Sequence, residues 1–342
     1  RPDIYNKEKV EEKKMKKLIQ SIALIIVLLL GLAACDGSGN KNSSAKSQEQ
    51  VYKIGISQLM EHKALDDARQ GFEEGLKEYG VNAEIEYDNA HGEIATSSTI
   101  AEKFVGDKKD LIYSIATPAA QAAARATDKT PIIFTAVTNP VESELVESME
   151  KPGKNITGTS DAADIKSQLE MFKQLDPKIN KIGIIYNTSE ANSEVQVSQV
   201  KEIAPELGLE VETCGVNTIN DVKQGLDNLI TKIDALYLIS DNMIASSVEM
   251  VRDTLIENKM ISVSAEESQV AGGILLTNGI KYYDLGKISA RIAKEILVDG
   301  KNPAEIPVEL SDKKTVVVNE EMLNTLGLDK SLPIFQNAEF VK

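Results

Sequence analysis

Tryptophan is absent from this 342-residue sequence, aromatic residues make up only 4% of it, and there are two histidines and two cysteines. Each scarcity excludes something. Two histidines, His62 and His91, cannot build a transition-metal cage, even with Glu61, Asp66 and Asp67 beside the first. Cys214 is the only cysteine after Cys35, which leaves no internal disulfide framework. Without tryptophan, the stacking platforms expected for sugars are scarce. The motifs G-x-G-x-x-G, Walker loop, G-x-S-x-G and H-E-x-x-H are also missing, so neither an enzyme nor a bound cofactor is expected. Basic charge is short as well. The formal net charge is −15, and residues 1–34 carry seven basic against four acidic side chains, so the remainder stands at −18. Nucleic acid is not an expected partner.

What is present begins with an export signal. Residues 1–14 precede the first methionine, Met15, and read as translation upstream of the start. Residues 15–34 follow the secretory pattern: "MKK", then the apolar run "LIQSIALIIVLLLGLAA". The run ends at Cys35 in Leu-Ala-Ala-Cys, which resembles the bacterial lipobox, in which the cysteine is lipidated and becomes the mature N-terminus. Residues 35–50 are polar apart from Ala45 and predict a flexible tether that cannot pack. The globular part is expected from Val51.

From there, strand-like runs alternate with amphipathic helical patterns such as "ALDDARQGFEEGLKEYG" and "DVKQGLDNLITKI", the signature of an α/β fold. The pattern repeats. "KIGIS" at Lys53 answers "KIGII" at Lys181, 128 residues on; Gly80 answers Gly208 at the same offset; "DLIYSI" at Asp110 answers "DALYLI" at Asp234, offset 124. The spacing predicts two doubly wound parallel-sheet lobes with a crossover hinge, residues 51–160 with 281–302 and residues 161–280 with 303–342. The carboxyl ends of the strands face a cleft between the lobes. Its loops are expected to be Ser57 to His62, Ala116 to Gln121 and Ala136 to Pro140 on one side, and Tyr186 to Ser193, Ser240 to Asn242 and Ala265 to Glu267 on the other.

The segments "IGISQLMEHKALDDARQGFEEGL", "IATPAAQAAARAT", "PIIFTAVTNPV", "NITGTSD", "IGIIYNTSEANS", "SDNMIAS" and "GIKYYDLG" together resemble the ABC-transporter substrate-binding lipoproteins of the tryptophan/tyrosine-binding type. Lys63 departs from that pattern, which commonly has proline after "EH". The resemblance implies a type I periplasmic-binding fold, three hinge crossovers, and capture of a small ligand, in several members an aromatic amino acid, for an ABC permease and ATPase. It implies a monomer tethered to the outer face of the cytoplasmic membrane, or on the periplasmic side in a two-membrane envelope. Two alternatives stay open: a nucleoside-binding lipoprotein, and a membrane-tethered receptor or adhesin with the same fold.

A zwitterionic ligand needs donors for its carboxylate and an acidic acceptor for its ammonium. Thr117 reads as an N-cap, with Pro118, Ala119 and Ala120 opening a helix whose N–H groups suit the carboxylate. The helix start in "SEANS", with Glu190, Asn192 and Ser193, is a second candidate. Asp241, directly after a buried strand, is the ammonium candidate, with capping of the next helix as the alternative, and Glu266 is held in reserve. Ser57, Gln58, Thr138 and Asn139 supply neutral hydrogen bonds, Met60 and Tyr283 apolar walls, and Ser160, Asn187 and Asn242 complete the expected lining.

Overall fold

The computed structural model describes residues 50–311 and 315–342. The export signal, Cys35 and most of the tether lie outside them.

The first lobe is built on a six-stranded sheet. In chain order its strands are β1 (Tyr52–Gln58), β2 (Ala83–Asn89), β3 (Leu111–Ile115), β4 (Ile132–Thr135), β5 (Ile156–Ser160) and, much later, β11 (Glu309–Leu310). They lie in the order β11-β5-β4-β3-β1-β2, all parallel. The second sheet contains β6 (Lys181–Asn187), β7 (Glu210–Val216), β8 (Ala235–Leu238), β9 (Ile261–Ser264), β10 (Leu276–Gly279), β12 (Thr315–Asn319) and β13 (Glu339–Val341), ordered β13-β12-β10-β9-β8-β6-β7. Only β12 against β10 runs antiparallel in it. The central strands β3, β4 and β8 are buried at every residue, as a parallel sheet covered on both faces requires.

Helices α1 (Lys63–Glu78) and α10 (Tyr282–Leu297) cover one face of the first sheet; α2 (Ile94–Gly106) and α3 (Thr117–Ala126) cover the other. Phe72 of α1 stacks on Tyr113 of β3 with ring centroids 3.9 Å apart. In the second lobe, α4 (Ile165–Leu175), α5 (Ala191–Ile203), α6 (Ile219–Ile230) and α8 (Val248–Asn258) pack on the sheet, while the short α7 (Asn242–Ser246) and α9 (Glu267–Ala271) follow β8 and β9. Helix α11 (Glu320–Leu326) follows β12.

The duplication reaches individual atoms. Asp110 accepts the Lys53 N–H at 2.7 Å and returns its own N–H to the Lys53 carbonyl. Asp234 does the same for Lys181, at 2.9 Å. In each lobe this aspartate registers the third strand against the first.

The chain passes from one sheet to the other after β5, after β10 and after β11. The last crossing corrects the expected boundary at residue 302. Residues 303–310 stay on the first lobe, because β11 pairs with β5 and Thr157 Oγ1 donates to the Ile306 carbonyl at 2.7 Å. Gln168 of α4 braces the second lobe behind the hinge: its Nε2 donates to the Ala265 and Asn278 carbonyls, both at 3.1 Å, and its Oε1 accepts the Tyr237 hydroxyl at 2.6 Å.

Candidate functional site

The carboxyl ends of both sheets meet along one seam, and the lobes are closed on it. His62, just before α1, reaches across to Asn242 at the start of α7, with Nε2 and Oδ1 3.1 Å apart. Asn242 Nδ2 donates to Glu190, so its Oδ1 must accept, and the proton lies on His62 Nε2. Burial pushes the His62 pKa down, against the Asn242 bond and the nearby Asp66. The ring is neutral, and its Nδ1 is a bare acceptor with no partner.

Two spaces adjoin along the seam; Asn242 lines one and Met243 the other. The inner one, beside the hinge, has about 10 Å³, room for a single water-sized group. Around it are Asp161, on the first crossing, and Tyr282, the first residue of α10, together with Asn192, Ser240, Glu266 and Gln269. Tyr282 donates its hydroxyl to Asp161 Oδ2. Asp161 Oδ1, Asn192 Oδ1, Gln269 Oε1 and the Ser240 hydroxyl are buried without partners. The amides are oriented by their own donors: Asn192 Nδ2 goes to the Ser240 carbonyl at 3.0 Å and Gln269 Nε2 to the Ile239 carbonyl at 3.3 Å. With His62 Nδ1, the unpaired atoms on this space are therefore four acceptors and one hydroxyl.

The outer space has a volume of about 470 Å³, within the range of about 300–1,000 Å³ common for small-molecule pockets. Leu59, Met60, Ile94 and Pro118 from the first lobe and Ile219 and Met243 from the second give it an apolar wall. Ile94 and Ile219 are the first residues of α2 and α6, which occupy corresponding places in the two lobes.

Of the residues expected from sequence, Thr138, Asn192, Asp241, Asn242 and Glu266 line the inner space, and Met60, Pro118, Asn187 and Glu190 the outer. Asn139 and Ser160 line a separate hollow of about 260 Å³ with Thr138. Ser57, Gln58, Thr117, Ala119, Ala120, Ser193 and Tyr283 line neither ligand-sized space.

Three expectations change. Thr117 is the first helical residue and not the cap; Ala116 holds the cap position with φ 84° and ψ 153°, a region where residues other than glycine are strained. The Thr117 hydroxyl is nonetheless buried and unpartnered. Tyr283 turns outward and donates to Glu74, while its neighbour Tyr282 faces the cleft. Asp241 is occupied within its own lobe. Its Oδ1 caps α7 through the Ile244 N–H at 2.9 Å, and its Oδ2 accepts the Asn187 N–H at 2.6 Å and the Ser193 hydroxyl at 2.7 Å. Glu190, at the start of the "SEANS" helix, makes no side-chain cap and instead accepts from Asn187 Nδ2 at 3.1 Å and from Asn242.

Four carboxylates sit buried in the seam, and among the described residues no lysine or arginine lines it. Burial pushes Glu266 up to about 7, against hydrogen bonds from Ser268 and Gln269. Burial also raises Glu190, aided by the Asp241 charge, and raises Asp161 despite the Tyr282 bond and Asp241 despite its N–H partners. The closed cleft calls for a cation.

Residues 53–342 match the family model described as ABC transporter substrate binding protein. The chain belongs to that family. It is a solute-binding component of an ABC importer, working outside the cytoplasm, and not an enzyme. It is 44% identical over 326 residues to the tyrosine-binding protein of Clostridioides difficile strain R20291, covering 94% of each chain. Among solved structures, a Streptococcus pneumonia domain in complex with L-Trp is 32% identical, with a TM-score of 0.82 over 85% of this chain and all of that one. A substrate-binding protein with adhesive properties from Clostridium difficile, solved ligand-free and open, is 44% identical but has a TM-score of 0.66 over 85% of this chain and 99% of that one. Identity and overlay rank the two in opposite orders.

Proposed function

We propose that the protein captures an aromatic amino acid, tyrosine or tryptophan, by closure of its lobes and hands it to an ABC permease with its ATPase. The observation that carries this reading is the inner space: one group wide, bounded by unpaired acceptors that include Asp161. A primary ammonium has the size and the three donors to fill it. The apolar outer space takes the aromatic side chain. The α-carboxylate goes toward the start of α3, whose Pro118 lines the outer space. The named ligands of two relatives support the choice of side chain. Calorimetry on ligand-free protein with tyrosine, tryptophan and a nucleoside tests it: one of the amino acids should bind and the nucleoside should not. Tight nucleoside binding with neither amino acid bound would replace this reading.

The buried carboxylates give the capture a pH dependence. Because burial raises their pKa values, ionising them destabilises the empty closed cleft; for Glu266 the penalty is absent below the ordinary 4.5 and complete above about 7. A ligand ammonium favours the ionised form and so reverses the sign. Affinity should rise as pH is raised from about 5 to about 8, with proton release on binding near neutrality. Titrations in buffers of different ionisation enthalpy measure that release, and proton uptake on binding would contradict the assignment.

For localisation, we infer a lipid anchor on Cys35, supported by the "MKK" start, the apolar run and the Leu-Ala-Ala-Cys sequence. Cys35→Ala should shift the protein from the membrane fraction to the soluble one or leave the leader uncut. Mass analysis showing a mature N-terminus elsewhere in the wild type would refute this.

A further inference from the structure

Two second-lobe helix starts at the seam, those of α7 and α9, are capped by carboxylates of their own lobe, whereas α5 and α6 begin without a side-chain cap. Asp241 takes the Ile244 N–H of α7, and with its other oxygen the Asn187 N–H and the Ser193 hydroxyl, while Glu266 takes the Ser268 N–H at 2.6 Å and the Gln269 N–H at 3.2 Å at the start of α9. On the first lobe, α3 meets the outer space through Pro118, which has no N–H, and α2 meets it through Ile94 and Ala95. Among the described residues no lysine or arginine lines either space, whereas five carboxylates do: Asp161, Asp241 and Glu266 on the inner and Glu93 and Glu190 on the outer.

A ligand carboxylate in this cleft therefore meets neutral donors at best and sits among like charges, whose repulsion a low-dielectric site strengthens. The ammonium meets the opposite. Asp161, Asn192 and Gln269 are each more than nine-tenths buried, and each directs an unpaired acceptor at the inner space. The geometry makes the amine the group that is read and leaves the α-carboxylate with little net effect.

We propose that aromatic primary amines lacking the α-carboxylate are a second ligand class of this cleft. The inference rests on the reading of the site as an ammonium seat beside an apolar cavity. It extends that reading from amino acids to arylalkylamines, and it excludes aryl acids that lack the amine.

The test is calorimetry at about pH 8, where Glu266 is ionised, on ligand-free protein with three compounds per ring. These are tyrosine, tyramine and 3-(4-hydroxyphenyl)propionate, and likewise tryptophan, tryptamine and indole-3-propionate. The amine of the preferred ring should bind within about tenfold of its amino acid, and the propionate should be weaker by roughly a hundredfold or more. Asp161→Asn should weaken amino acid and amine by the same factor. An amine more than tenfold weaker than its amino acid, or one whose binding survives Asp161→Asn, overturns the inference while leaving amino-acid capture standing. Binding of neither amino acid nor amine overturns both.

Discussion

Asp161→Asn should weaken binding of the aromatic amino acid by about a hundredfold or more, the 2–5 kcal/mol typical of removing one partner from a buried charge pair. The reason is directional as well as ionic. Asp161 already accepts the Tyr282 hydroxyl on one oxygen, which leaves the other free for the ligand. In the asparagine variant the remaining oxygen keeps the tyrosine bond and the NH₂ group turns toward the ammonium, donor against donor. Stability without ligand should hold or rise, because a buried carboxylate whose pKa is raised by desolvation is removed. Asp241→Asn should behave in the opposite way. Its two oxygens receive three donors from within the second lobe, and unpairing them should cost about 2–4 kcal/mol of stability. Urea unfolding and calorimetry on both variants separate the roles. Wild-type affinity in Asp161→Asn would remove the ammonium from this seat, and wild-type stability in Asp241→Asn would return Asp241 to the ligand.

That pair also marks how far the sequence could be read. The lobe architecture was legible because it repeats: the Lys53 and Lys181 strands and the Asp110 and Asp234 anchors recur at near-constant offset and do the same work in both lobes. The strand-end rule also led to Thr138, Asn192, Asp241, Asn242 and Glu266, all on the inner space. It did not say which way a carboxylate would spend its oxygens. Asp241 before a helix satisfies the pattern of a cap and of a ligand contact equally, and the choice is made by Asn187 and Ser193, which belong to another loop. Asp161 was not among the expected lining residues, and it becomes a site residue because Tyr282, far along the chain, fixes it there. Tyr283 was preferred to Tyr282, but neighbours on a helix point about 100° apart, so one residue decides whether a ring faces the cleft or Glu74. His62 was placed at the end of an expected cleft loop but given no role in binding. Its part depends on closure, which brings Asn242 to it and has no local sequence signal.

The hinge side of the site depends on two helices that pack backbone against backbone. A Cβ placed on Gly286 of α10 would lie 2.1 Å from the Ala68 carbonyl oxygen and 2.7 Å from the Phe72 nitrogen of α1, and one on Gly71 would lie 2.1 Å from the Tyr283 carbonyl oxygen. Helix propensity alone predicts that Gly286→Ala stabilises by up to about 1 kcal/mol. The clash is with main chain, which cannot rotate away, so α1 and α10 must separate or bend, and overpacking of this kind costs about 1–3 kcal/mol or more. Separation also loosens the buried Phe72–Tyr113 stack below. The second effect should therefore win, giving a net loss of about 2 kcal/mol, with Gly286→Leu failing to fold. Affinity should fall as well, because α1 begins just after His62 and α10 begins at Tyr282, so parting the helices pulls the latch histidine away from the tyrosine that holds Asp161. Urea unfolding of Gly286→Ala, followed by calorimetry under conditions where the variant is fully folded, reads both consequences. A variant more stable than wild type would mean that propensity governs this position and that the two helices have slack between them.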